Sequence, residues 1–179
     1  MKYNPEKHHR QSIRLKNYDY SQDGCYYITI CTYNREELFG KIRRRTTRCA
    51  LFEIGIISEK FWQEIPTHFP YVELDEYIIM PNHIHGILIL NRGVQHVEPL
   101  RNKYQKIIPG SIGSIIRGYK ASVTKWIRQN TDIYMVWQRN YHDHIIKHTK
   151  ELNHIRKYII ENHRNWTEDE NNPINIRKQ

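Results

Sequence analysis

Two histidines separated by one residue give this sequence its clearest chemical signal. His83 and His85 stand in the segment MPNHIHGILIL, whose β-branched and aliphatic residues predict a strand. Alternate side chains of a strand share a face, so the two imidazoles must point the same way, with Ile84 on the other face. Such a pair can bind one metal ion, although a packed pair without metal is the alternative. Imidazole favours zinc, copper, iron or nickel and magnesium prefers oxygen, so the spacing does not choose the ion.

A tyrosine and an amide lie four residues apart near the end of the chain. Tyr158 and Asn162 fall on the same face of a helix predicted over 149–166, beside its apolar stripe. If that stripe packs on a sheet, Asn162 can be a third ligand and Tyr158 can meet a metal-bound phosphate. His154, one turn before Tyr158, is a candidate acceptor for the phenol proton. The alternatives are packing for Tyr158, a helix stop for Asn162 and a surface position for His154.

The charge of the chain favours a polyanionic partner over a merely solvated basic surface. The net charge is +9, and residues 1–50 carry 11 Lys and Arg against 5 Asp and Glu, whereas residues 101–150 carry 10 against 2. Two basic stretches therefore flank an acidic middle, which suits a nucleic acid lying across one face. The candidate phosphate contacts form two groups, one in a basic loop (Arg43, Arg44, Arg45 and Arg48) and one on a predicted helix (Arg117, Lys120, Lys125 and Arg128).

The elements that must position these groups are predicted in the order β, α, β, β, α, β, α. Strands are expected over 25–33, 72–80, 83–90 and the extended stretch 134–146, and helices over 51–65, 111–128 and 149–166. This order predicts an α+β fold with helices packed on an antiparallel sheet. We expect a basic N-terminal arm over 1–20, a single domain over 21–166 and a polar tail over 167–179 that frays.

The composition of the chain indicates its cellular location. The longest apolar run, 84–90, is too short to cross a bilayer, and the polar, basic N-terminus does not predict a secretory signal. The three cysteines have no C-x-x-C spacing and give no disulfide framework. These features predict a cytoplasmic protein without a membrane partner.

At these residues the chain resembles a known family. It is similar to the single-tyrosine transposases that carry a His-hydrophobic-His motif, and particularly to the REP-associated tyrosine transposases. The resemblance rests on four blocks, YYITICTYNREELFG (26–40), YIIMPNHIHGILIL (77–90), SIGSIIRGYKASVTKWI (111–127) and residues 136–166. His83-Ile84-His85 matches the metal-binding motif, Tyr158 the nucleophile and Asn162 an amide-bearing third ligand. Trp137, Gln138 and His144 match a recurring signature whose purpose does not follow from the residues.

The resemblance implies a ferredoxin-like domain that acts on single-stranded, often hairpin-forming DNA with Mg²⁺ or Mn²⁺. Tyrosine attack would leave a 5′-phosphotyrosine link and a free 3′-hydroxyl, and reversal would rejoin the strands. A longer basic arm and Asn162, where the insertion-sequence members carry Gln, favour the REP-associated branch. A monomer and a homodimer are both compatible. The rival functions are a domesticated nucleic-acid-binding protein that does not cleave, a phosphodiesterase that uses water, and a zinc-bound structural protein.

Overall fold

A four-stranded antiparallel sheet is the main element of the protein, as seen in a computed structural model that describes residues 18–42, 49–93 and 108–176. Its strands are β1 (Gly24–Cys31), β4 (Val72–Ile79), β5 (His83–Leu90) and β6 (His142–Ile146), in the order β4-β5-β1-β6. Two short strands, β2 (Gly40–Ile42) and β3 (Cys49–Leu51), pair separately.

The helices complete a ferredoxin-like arrangement. They are α1 (Glu53–Gln63), α2 (Ile65–His68), α3 (Ile112–Asn130), α4 (Thr149–Glu161) and α5 (Pro173–Ile176), with a short 3₁₀ turn at Tyr33–Arg35. The predicted α+β fold and its element order are confirmed. Two of the predicted elements extend well beyond those observed: α4 ends at Glu161, and the stretch before β6 pairs only through Trp137, which bridges to Thr32. Within the described ranges, no helix is long and apolar enough to span a membrane.

The larger core lies between one face of the sheet and helices α1 and α3. Alternate residues of β1 and β5 point into it, as strand geometry requires, and α3 adds residues at helical spacing. The fully or almost fully buried members are Tyr26, Ile28, Ile30, Ile84, Leu88, Leu90, Trp62, Ile112, Ile115, Ile116, Val123 and Ile127. Each fully buried aliphatic side chain here stabilises the fold by about 1.5 to 3 kcal/mol.

Helix α4 covers the opposite face of the sheet. Its residues Leu152, Ile155 and Ile159 pack against a smaller apolar cluster that includes Ile87. Arg156 on the same helix ties it to β4, since its Nη2 donates to Asp75 Oδ2 at 2.6 Å and its Nε reaches both carboxylate oxygens. The sheet face that carries Tyr27, Thr29 and His85 therefore faces α4.

The segment after α4 folds back onto the domain instead of fraying, so that part of the prediction is wrong for residues 167–176. Trp166, Asp169, Asn171 and Asn172 are all buried. Asparagine and aspartate side chains satisfy the turns here, for example through Asn172 Nδ2, which donates to the Trp166 carbonyl at 2.8 Å. A polar segment can be buried when its own side chains partner its backbone groups in this way.

Candidate active site

The two histidines lie side by side on β5, on the face that α4 covers. Antiparallel pairing places Thr29 opposite His85 and Cys31 opposite His83 on β1. His83 is 0% and His85 2% exposed, and their ring centroids are 4.4 Å apart. The prediction that both imidazoles share a face is confirmed, with Ile84 in the core on the other side.

The protonation state of His83 follows from its neighbours. Asn82 Nδ2 donates to the carbonyls of Arg35 (2.9 Å) and Asn171 (2.8 Å), so Asn82 Oδ1 is left as an acceptor. His83 Nδ1, 2.8 Å from that oxygen, must therefore donate, and Nε2 keeps a free lone pair. Burial and the positive charge of Arg35 lower the pKa of His83 to about 3, so the ring is neutral at physiological pH.

His85 is held by two hydroxyl groups. Its Nδ1 lies 2.7 Å from the Tyr27 hydroxyl and 2.9 Å from Thr29 Oγ1, while its Nε2 faces the Tyr158 hydroxyl at 3.4 Å. Burial and the neighbouring His83 lower the pKa of His85 well below its ordinary value. A ring nitrogen fixed by outer hydrogen bonds, with the other nitrogen aimed into a site, is how metal-binding histidines are usually oriented.

Tyr158 projects from α4 into an open cleft beside this pair. Its ring makes an edge contact with His85, with centroids 5.3 Å apart, and its side chain is 40% exposed. The cleft has a volume of about 410 Å³. Its lining includes Tyr27, Thr29, Arg35, His85, Gln138, Arg139, Asn140, Tyr158, Glu170 and Asn171. Burial, then the negative charges of Asp169 and Glu170, raises the pKa of Tyr158 to about 12.

Asn162 and Asp169 contact each other close to His83. Asn162 is buried at the end of α4, and its Nδ2 donates to Asp169 Oδ2 at 3.0 Å. The same carboxylate oxygen lies 4.0 Å from His83 Nε2. One potential ligand atom from each of His83, His85 and Asp169 lies within 4.8 Å of the others.

Two buried acceptors in this group show that the residues fit a divalent cation. His83 Nε2 and Asn162 Oδ1 have no hydrogen-bond partner within the part of the chain that the structure describes. A buried polar atom left without a partner costs about 1 to 3 kcal/mol, and coordination to a cation would satisfy such an acceptor. The cluster is thus a candidate metal centre made of nitrogen and oxygen ligands.

Comparisons with known proteins agree with this architecture. An uncharacterised protein of Haemophilus influenzae is 43% identical over 178 residues, which cover 94% of this chain and 96% of that protein. The chain belongs to the same family as that protein. No protein-family model matches this chain. A solved structure of a REP-associated tyrosine transposase bound to a REP hairpin is similar with a TM-score of 0.55 and 18% identity, covering 82% of this chain and 70% of that one.

The fold is similar to that of this transposase. At 18% identity this likeness concerns the fold, and the roles of single residues must be argued from their own surroundings. The structure brings His83, His85, Tyr158 and Asn162 to one region. His154 lies exposed on α4, one helical turn before Tyr158.

Four of the basic residues predicted to contact DNA lie on α3, apart from the histidine pair. Arg117, Lys125 and Arg128 are exposed on α3, the helix that packs on the opposite face of the sheet. Lys120 is engaged, because its Nζ donates to the carbonyls of Gln138 (2.8 Å) and Asn140 (2.9 Å), and burial lowers its pKa to about 8. The other predicted group, Arg43, Arg44, Arg45 and Arg48, lies outside the described residues.

Several site residues have no distinct signal in the sequence. Tyr27 and Thr29 alternate correctly for one face of β1, yet only the register with β5 shows that they meet His85. Asn82 precedes His83 and reads as part of a turn. Asp169 sits in a run of acidic and amide residues that looks like a solvated tail. Trp137 of the recurring Trp-Gln…His signature packs near α3, where its Nε1 donates to the Lys120 carbonyl at 3.1 Å.

Proposed function

We propose that this protein is a divalent-metal-dependent, single-stranded DNA transesterase that nicks and rejoins DNA through a 5′-phosphotyrosine intermediate on Tyr158. The observation that carries the proposal is the Tyr158 hydroxyl, 3.4 Å from Nε2 of the buried His85 and open to a cleft. The fold of a transposase bound to a REP hairpin supports hairpin-forming DNA as the partner. The free thiols of Cys25 and Cys31 are compatible with the cytoplasm.

The metal-holding residues in this proposal are His83, His85 and Asn162. Both histidines are neutral, so they offer lone pairs without first losing a proton. When bound, Mg²⁺ or Mn²⁺ would polarise the scissile phosphate and offset the charge that develops on its oxygens. In this arrangement His85 Nδ1 donates to the Tyr27 and Thr29 hydroxyl oxygens and His83 Nδ1 donates to Asn82 Oδ1, which keeps the two imidazoles in place for this task.

Tyr158 carries the covalent step. With a pKa of about 12 it is a phenol at neutral pH, so it must lose its proton as its oxygen attacks phosphorus. His154 is our candidate for the acceptor of that proton. The bond between phosphorus and the 3′-oxygen breaks, and the 3′-oxygen takes up a proton to become a hydroxyl. The 3′-hydroxyl can reverse the step by attacking the phosphotyrosine, which rejoins the strand.

The DNA would run from the cleft over the basic surface. Arg139 lines the cleft, whereas Arg117, Lys125 and Arg128 on α3 stay proposed contacts for phosphates farther along the strand. The loop arginines Arg43, Arg44, Arg45 and Arg48 are proposed for the same role. Binding should weaken with salt by roughly 0.7 log units per tenfold increase for each phosphate neutralised on a single strand.

The test is a covalent-capture assay with a hairpin-bearing single strand and Mn²⁺, followed by a denaturing protein gel. We expect 3′-labelled DNA to leave label on the protein and 5′-labelled DNA to leave it on a shortened free strand. Tyr158→Phe should abolish the protein band, as should a chelator. Tyr134→Phe is the matched control, because Tyr134 is 70% exposed and outside the cleft, and it should keep the band.

Two results would contradict the proposal and identify a rival. Cleavage without a protein band, retained in Tyr158→Phe, would show a phosphodiesterase that uses water. DNA retarded in a native gel without cleavage, across several hairpin sequences, would show a binding protein of this fold that does not cut.

A further inference from the structure

We propose that Asp169, in the C-terminal segment over 166–176, is the anionic ligand of the metal centre. This inference rests on the proposed function only in that a divalent cation binds at His83 and His85. It adds to the two histidines and Asn162 a residue that the sequence does not single out, and it makes the segment after α4 part of the site.

The Asp169 carboxylate lies where it could share a cation with His83. Asp169 Oδ2 lies 4.0 Å from His83 Nε2, and the structure describes no hydrogen bond from any residue to that nitrogen. Two ligand atoms that share one cation at about 2.0 to 2.3 Å lie roughly 3 to 4.5 Å apart. The separation is too long for a hydrogen bond and suits a shared ion.

This carboxylate is held in place by hydrogen bonds. Asp169 is 7% exposed, and its Oδ1 accepts from the backbone N–H of Asn171 at 2.6 Å. The Asn171 carbonyl in turn accepts from Asn82, the residue that fixes the His83 ring. The C-terminal segment and the first histidine therefore share one hydrogen-bond network, which sets the distance between the two ligand atoms.

The Asp169 carboxylate also sets the orientation of the Asn162 amide. A carboxylate only accepts hydrogen bonds, so Asn162 must present its NH₂ group to Asp169 Oδ2. This fixes which way the amide faces and leaves Asn162 Oδ1 as a buried acceptor without a partner among residues 18–42, 49–93 and 108–176. Asp169 thus supplies one oxygen and orients the oxygen of a second ligand.

A bound cation also needs a negative charge among its ligands. Imidazole and amide ligands carry no negative charge, so Asp169 brings the negative charge to the converging ligand atoms. A buried cation is strongly disfavoured unless an opposite charge offsets its desolvation. Arg35 contacts Cys31 and Asn171 through its guanidinium. Its positive charge near the site makes a negatively charged ligand more necessary for cation binding.

The test is a Mn²⁺ titration of the full-length protein without DNA, followed by the electron paramagnetic resonance signal of free Mn²⁺. Asp169→Asn should raise the Kd by tenfold or more. Glu168→Gln is the matched control: it removes an equal charge from the neighbouring exposed position and should stay within twofold of wild type. Unchanged affinity in Asp169→Asn, or equal weakening in both variants, would overturn the proposal. Circular dichroism checks that each variant is folded.

A second variant separates a ligand from a residue that only orients Asn162. Asp169→Cys replaces a hard oxygen with a soft sulfur, which should shift the preference of the site from Mn²⁺ to Cd²⁺. We expect a sulfur-to-cadmium absorption band beyond that of wild type, and Glu168→Cys should lack it. A folded Asp169→Cys protein without the additional band would overturn the proposal, whatever the outcome for Asp169→Asn.

The metal-binding measurements and the covalent-capture assay can give independent results. Mn²⁺ binding that depends on Asp169, in a protein that forms no covalent adduct, would support this inference and contradict the transesterase. A covalent adduct on Tyr158, in a protein whose Mn²⁺ affinity does not depend on Asp169, would support the transesterase and contradict this inference.

Discussion

At the scale of single residues, each histidine of the pair is controlled by a different kind of neighbour. An amide with both hydrogens already used fixes His83, whereas two hydroxyls fix His85. Both arrangements leave a neutral ring with one nitrogen directed into the site. The chemistry of the pair therefore depends on side chains that the His-x-His spacing does not contain.

Lys120 provides a prediction at the same scale. Its ammonium group binds the carbonyls of Gln138 and Asn140 in the loop that lines the cleft, so we infer that it positions that loop rather than a phosphate. Lys120→Met should slow single-turnover cleavage by about tenfold or more, because small displacements at a reaction site are costly. It should leave the salt dependence of DNA binding unchanged.

The matched variant is Lys125→Met on the same helix. Lys125 is exposed, and its loss should reduce the slope of log affinity against log salt by about 0.7 if it neutralises one phosphate. Fluorescence anisotropy at several salt concentrations measures both slopes. Equal reductions in the two variants would mean that Lys120 contacts DNA as well.

At the scale of elements, the sequence predicts what depends on local periodicity. The strand period places His83 and His85 on one face, and the helical spacing places Tyr158 and Asn162 together. It does not predict the return of the chain after α4, because Asp169 reaches the site through turns stabilised by asparagine side chains. Nor does it predict the partners of His85, since the register of β1 against β5 is a long-range property.

The contact between α1 and β5 gives a prediction about an element. A Cβ on Gly86 would lie 2.3 Å from Cζ2 of the fully buried Trp62, so Gly86→Ala must displace either the strand or the indole. Overpacking of this kind costs about 1 to 3 kcal/mol. The unfolding temperature should fall by roughly 2 to 4 °C for each kcal/mol of lost stability. The affinity for Mn²⁺ should also fall, because His85 is the preceding residue.

A glycine-to-alanine substitution at Gly118 should instead stabilise the protein. Gly118 is an exposed helical position in α3, where an added Cβ meets nothing closer than 3.9 Å. Gly118→Ala should stabilise the protein by about 0.5 to 1 kcal/mol, since glycine is a poor helix former. An unfolding temperature of Gly86→Ala at or above that of wild type would show that the sheet accommodates the methyl group without strain.

At the scale of the whole molecule, the buried ionisable groups predict how stability depends on pH. Burial raises the pKa values of Tyr26 and Tyr119 above 10, so the stability they contribute is present below pH 10 and is lost as pH rises further. The metal-free histidine pair acts on the acid side. Unfolded His83 binds a proton below about pH 6.5, whereas the folded ring has a pKa of about 3.

Stability of the metal-free protein should therefore be full above pH 6.5 and fall as the pH drops from there towards 3. At pH 4.5 the two-unit gap below the unfolded pKa corresponds to about 2 to 3 kcal/mol for His83 alone. Unfolding temperatures measured with chelator at pH 7.5, 6 and 4.5 should show this decline. His83→Gln should flatten it, whereas His154→Gln at an exposed position should not. Excess Mn²⁺ should steepen the decline, because protons must then displace the cation from the same nitrogen atoms. An unfolding temperature that stays constant down to pH 4.5 would mean that the histidine pair accepts protons in the folded state, which is incompatible with the sealed, neutral ligand pair argued for above.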